Sequence, residues 1–170
     1  MHPKIESHPF AHERILRLHL PGSKGLNLSL LADLDKGQED FSYSHLINGR
    51  WENAYLPIDR IPCVREVMGF ARDAILSELG KRLLTLYQPL KVDAKPPFWF
   101  NLAEPGEITG VHDHAKDAEI SGVYYIAVPP LSGDLFFRAE SEEDFFLPPL
   151  EGTVVLFASN LRHGVEENLS

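Results

Sequence analysis

Val111-His112-Asp113-His114 sets two imidazoles two residues apart in a stretch that reads as extended. Strand side chains alternate between faces, so residues two apart point the same way and His112 and His114 are expected to reach one spot. Two imidazoles of that kind are half of a site for a divalent transition metal. His163, which follows the apolar run Thr153-Val154-Val155-Leu156-Phe157 and precedes Gly164-Val165, is placed to supply the rest. Three protein ligands on one face of an ion leave its other face open, as non-haem Fe(II) oxygen chemistry requires. No acid or base beyond these ligands stands out as catalytic.

Other residues compete for roles. Asp113 and Asp117 are carboxylates close in sequence, but Asp113 on a regular strand faces away from His112, so a solvated loop position is expected for it. His2, His8, His12, His19 and His45 lack partners at ligand spacing and read as surface or packing residues. Asn101, Tyr125 and Arg138 are the cofactor-binding candidates, because they fall on predicted strands that can line the same cavity. Tyr124 and Tyr125 must point to opposite faces, so at most one reaches the metal pocket. Trp99 is expected to fill core.

The elements that would hold these groups change character along the chain. Ile15 to Leu20 reads as a strand ended by Pro21-Gly22, Leu26 to Leu34 suits helix or strand equally, and His45 to Arg60 reads as an irregular loop or short hairpin. From Pro62 to Tyr87, apolar residues recur at three- and four-residue steps, the stripe of an amphipathic helix that Pro89 stops; Gly80 weakens it mid-way, so one kinked helix and two consecutive ones both fit. Past Lys95-Pro96-Pro97 the pattern becomes short strands over residues 98–102, 108–112, 120–128, 134–138, 145–147, 153–157 and 162–166. Turn signals such as Glu104-Pro105-Gly106 and Ser141-Glu142-Glu143-Asp144 separate them. The expected fold is α+β: a single domain over 1–170, with 1–97 a mainly helical support whose helices pack on one sheet, and 98–170 a jelly roll, or double-stranded β-helix.

A formal charge of −9 and the lack of any basic run argue against nucleic acid as a partner, since that affinity rests on clustered Lys and Arg. Cys63 is the only cysteine, so no intramolecular disulfide forms and a reducing cytoplasm is expected. Neither a signal peptide nor a membrane span is expected. The acidic surface suits a small-molecule or a basic peptide substrate equally.

Trp99-Phe100-Asn101, Gly110-Val111-His112-Asp113-His114, Ile120-Ser121-Gly122-Val123-Tyr124-Tyr125, Gly133-Asp134-Leu135-Phe136-Phe137 and Gly152-Thr153-Val154-Val155-Leu156-Phe157 come in that order. Leu161-Arg162-His163-Gly164-Val165 and Asn168 follow. Together, over about residues 98–168, these resemble the 2-oxoglutarate and Fe(II)-dependent oxygenase family related to prolyl 4-hydroxylases. The resemblance implies a jelly-roll core, Fe(II), 2-oxoglutarate and O2, and hydroxylation of an unactivated C–H bond with release of succinate and CO2. It makes His112 and His163 the outer ligands and the position two after the first His the third.

Two departures from the family pattern stand out. The third ligand is Asp or Glu in most of that superfamily and is His114 here, which leaves a bound iron more positive. The superfamily also holds the distal carboxylate of 2-oxoglutarate with Arg or Lys on a strand after the last His, since a forked guanidinium matches a carboxylate. Here that last strand is expected to be unfinished at Ser170, with a shortened chain, Arg138 or Arg162 as replacement base, or no use of the cofactor as the options. An unfinished strand would expose an edge on which a second copy could pair into a homodimer. Two alternatives therefore stand beside the oxygenase: a three-His iron dioxygenase that does not use 2-oxoglutarate, and a non-catalytic metal- or ligand-binding jelly roll.

Overall fold

The computed structural model describes residues 4–47, 49–91, 96–140 and 142–170, so His2, Lys95 and Ser141 lie outside the described residues. In chain order the elements are β1 (Ile5–Phe10), β2 (Glu13–His19), α1 (Ser23–Lys36), β3 (Ser42–Ile47), β4 (Arg50–Tyr55), α2 (Val64–Leu79), β5 (Thr109–His112), β6 (Ile120–Tyr124), β7 (Leu135–Ala139), β8 (Glu142–Leu147), β9 (Thr153–Ala158) and β10 (Arg162–Val165). They divide into two compact units, Met1–Ser23 with Ala103–Ser170, and Lys24–Leu102. Neither helix is long and apolar enough to cross a membrane.

The first unit is two four-stranded antiparallel sheets, ordered β1-β2-β9-β6 and β5-β10-β7-β8. Phe10, Ile15, Val155 and Phe157 from the first sheet meet Leu135, Phe137 and Leu147 from the second in one buried cluster with Leu161. The Phe137 and Phe157 rings lie edge to face across the interface, with centroids 4.9 Å apart. Burying such a side chain contributes about 1.5–3 kcal/mol, so this aromatic pair is a main fastening between the sheets.

Residues 4–20 contribute strands and no helix to the support: the strand expected from Ile15 to Leu20 is there as β2, preceded by β1. Strands β1 and β2 extend the first sheet, with Leu16 opposite Leu156 and Arg17 opposite Val155. The physical reason is that Ile15, Leu16 and Leu18 are all essentially fully buried, a two-faced burial that suits a strand inside a layered structure. His12 sits in the turn between them; it and Ala11 both have positive φ, the conformation of tight hairpin turns that follow the twist of paired strands.

Strand β10, which carries His163, is an interior strand. It lies inside its sheet between β5 and β7, and past it the Asn168 and Leu169 N–H groups donate to the Glu107 and Leu131 carbonyls. The edges of the two sheets are β1 and β6, and β5 and β8.

The second unit contains nearly all of α1, the β3–β4 hairpin and α2. The helix expected to reach Tyr87 stops at Leu79: Gly80 is left-handed, with φ 66°, and its N–H caps the Leu76 carbonyl. A side chain is strained in that conformation, so glycine ends the helix where the apolar stripe alone would continue it. Residues 98–102 form no strand; Phe100 makes a single antiparallel bridge to Ala54.

Candidate metal centre

His112 and His163 stand directly opposite each other on the paired strands β5 and β10. Directly opposed residues in an antiparallel pair share a face, and the buried Phe137 on the other side of His163 fixes that face as the interior. His114 reaches the same place by another route than strand alternation. Strand β5 ends at His112, and His114 stands in the turn beyond, with its carbonyl accepting the Asp117 and Ala118 N–H groups. The three ring centroids are 4.9, 4.5 and 5.3 Å apart, and one nitrogen from each ring lies within 4.8 Å of the other two. Nitrogens bound to one ion at about 2.1 Å are roughly 3–3.4 Å apart, so small ring rotations bring this set to ligand distance.

Hydrogen bonds also decide which nitrogen is offered. His112 Nδ1 donates to the Gly110 carbonyl at 2.8 Å, and His163 Nδ1 donates to the Leu161 carbonyl at 2.9 Å. A carbonyl only accepts, so both rings carry their proton on Nδ1 and present the Nε2 lone pair. His163 is 5% exposed, and burial pushes it down to about 4, with His112 and His114 pushing the same way; the Leu161 carbonyl and Asp113 oppose them. A neutral imidazole is the form that ligates. Phe157 packs edge-on against the His163 ring at 4.6 Å and covers it with apolar surface.

The remaining candidates are dispersed. Asp113 is exposed, and its Oδ1 accepts from the Ala115 N–H at 3.1 Å, so it closes a local turn instead of reaching the rings. Asp117 is exposed too. Tyr125 follows β6 on the face that packs against the core, and burial, with a smaller push from Asp134, holds its phenol well above the ordinary range. Tyr124 takes the other face, as alternation requires, and burial with the Glu151 charge pushes it up to about 12.

The structure does not bring Arg138 to the imidazoles. It lies one residue from Phe137 on β7 and so projects from the outer face, where Nη2 donates to Asp144 at 2.6 Å and the guanidinium covers the Phe136 ring at 5.4 Å. Arg162 stands opposite Arg138 and is exposed on the same face. Asn101 belongs to the Lys24–Leu102 unit, where its side-chain oxygen accepts from Arg50. Trp99 is not core filling: it is 37% exposed, with its ring 6.5 Å from that of Tyr55. A cavity of about 580 Å³ in that unit is walled by Tyr55, Tyr87, Phe98, Asp40, Asp59 and Lys91 among others, with no histidine. Ser121 and Ser159, whose hydroxyls lie 2.8 Å apart, were given no site role from sequence, because a lone serine signals nothing by its type.

No family model matches the sequence, and no curated protein does. Among solved structures, one match covers 92% of this chain and 86% of its counterpart, at a TM-score of 0.58 and 17% identity. The chain is similar in fold to a Pseudomonas putida prolyl-4-hydroxylase. At that identity the likeness to the prolyl-4-hydroxylase speaks for the path of the backbone. The three-imidazole cluster is this chain's own evidence for chemistry.

Proposed function

We propose that this chain is a non-haem Fe(II) and 2-oxoglutarate-dependent oxygenase, built on a double-stranded β-helix, that hydroxylates a small-molecule or peptide substrate. The observation that carries the reading is the convergence of His112, His114 and His163 from β5, its following turn and β10. A donor set of three imidazoles suits a divalent first-row metal such as Fe(II). The similarity of fold to a prolyl-4-hydroxylase supports the same reaction class.

When bound, the iron would supply the redox chemistry that couples O2 and decarboxylation of 2-oxoglutarate to succinate and CO2 with oxygen insertion into a C–H bond. The chain's own residues orient and shield. Carbonyls of Gly110 and Leu161 keep the Nε2 atoms of His112 and His163 aimed inward, and Phe157 and Phe137 keep water from one side of His163. Arg138, committed to Asp144 on the outer face, takes no part in this arrangement. A cytoplasmic setting fits, because Fe(II) and a free Cys63 both suit a reducing compartment.

His114 in place of a carboxylate, together with an outward Arg138, favours a second reading: a three-His iron dioxygenase that uses no 2-oxoglutarate. Aerobic incubation of the Fe(II)-loaded chain with 2-oxoglutarate separates the two. Succinate formation that disappears in His112→Ala is expected from the first. Iron uptake with O2 consumption but no succinate would favour the second, and iron uptake with neither would leave a non-catalytic metal-binding domain.

A further inference from the structure

His112 and His163 are held by strand pairing and by their Nδ1 hydrogen bonds, and His114 stands on a turn with main-chain contacts at both of its ends. Its N–H donates to the Ser159 carbonyl at 2.8 Å, and the Ser159 N–H donates to the Glu119 carbonyl at 3.1 Å. Both ends of the 114–119 turn are thus pinned to a single residue. Ser159 is 1% exposed, and its hydroxyl pairs at 2.8 Å with that of Ser121 on β6. A buried hydroxyl rotates to suit its partner, so this pair ties the residue just past β9 to the strand that follows the turn. The next turn toward β10 closes with the Leu161 N–H on the Ala158 carbonyl at 3.0 Å, and Leu161 in turn holds the His163 ring.

We propose that Ser121 and Ser159 are positioning residues that set where the His114 imidazole stands against His112 and His163, and so set the affinity and geometry of the metal centre. The proposal rests on the reading of those three histidines as ligands. The Ser159 carbonyl acts through the His114 main chain, and the hydroxyl pair fixes where that carbonyl is. Groups that orient metal ligands in this way change metal affinity about 10–100-fold when they are removed.

Co(II) binding to the whole chain, followed by calorimetry and by the visible absorption of the bound ion, tests this without any turnover. Ser121→Ala is expected to bind Co(II) about 10–100-fold more weakly with an altered spectrum, and Ser121→Thr, which restores the hydroxyl, to recover both. In a His114→Ala background, Ser121→Ala is expected to cause no further loss, because its effect runs through His114. Val123→Ala, on the same strand and destabilising through the core, is expected to leave the spectrum unchanged. Unchanged binding in Ser121→Ala, losses that add in the double variant, or a spectral change in Val123→Ala would each overturn the proposal. A parent chain that takes up no Co(II) would instead remove the metal-centre reading beneath it.

Discussion

The two faces of the β5-β10-β7-β8 sheet are one residue apart along each strand and opposite in chemistry. On the inner face His163 is nearly sealed, neutral and flanked by Phe137; on the outer face Arg138 and Arg162 stay exposed, with Asp144 beside the first. Water decides the difference. An exposed guanidinium keeps its charge and gains little from a partner, whereas a buried imidazole sheds its proton and becomes a ligand. The candidate site is therefore a product of burial as much as of residue type.

Phe137→Ala should break the inner face most severely. It removes the ring that meets Phe157 and lines His163, and large-to-small core changes of this kind cost about 3–5 kcal/mol, readable by urea unfolding of metal-free protein. Acid should act next. His163 titrates at about 4 in the folded chain against 6.5 ordinarily, so the unfolded chain binds the proton first as pH falls. The associated stability is whole above pH 6.5 and is lost on the way down to pH 4, at most about 3 kcal/mol. In protein stripped by a chelator, His163→Gln should flatten that part of the pH–stability profile relative to the parent.

Gly164→Ala probes the join between the faces. A Cβ there would sit 2.8 Å from both the Phe136 ring and the Thr109 carbonyl, so β5 must shift and carry His112 with it. A loss of about 1–3 kcal/mol in unfolding, with weaker Co(II) binding, is expected; an unchanged spectrum would show that β5 does not move. The smallest effect belongs to the outer face. Arg138→Ala should leave unfolding stability nearly unchanged and leave metal affinity alone, since an exposed ion pair contributes little. A drop in 2-oxoglutarate affinity in that variant would contradict the outward placement of the guanidinium.

The meeting of His112, His114 and His163 was legible from their spacing and from the apolar run before the last of them, although half the reasoning changed. His112 ends β5, as the strand expected over 108–112 does, and His114 stands past that end, so alternation along one strand is not what brings the two rings together. Arg138 shows the limit of a period-two pattern: it says that neighbours point oppositely, and only the burial of Phe137 says which way is in. Strand β1 was hard to see because, with Glu6, Ser7, His8 and Pro9 in its span, it lacks a clean apolar alternation, whereas β2 matches the strand expected from Ile15 to Leu20. Gly80, noticed as a weakness in a helix, proved to be its end, since a left-handed residue is set by local geometry that periodicity does not contain.

Leu16 pairs with Leu156, so the β1-β2-β9-β6 sheet joins strands far apart in the sequence. Such high contact order makes for slow assembly, because the entropy of closing a long loop is lost before the pairing compensates for it. Strand β2 cannot dock until β9 has been synthesised and released, which leaves the β1-β2 hairpin waiting for a partner far downstream. Refolding in the millisecond-to-second range, rather than microseconds, is the kinetic signature that this pairing implies.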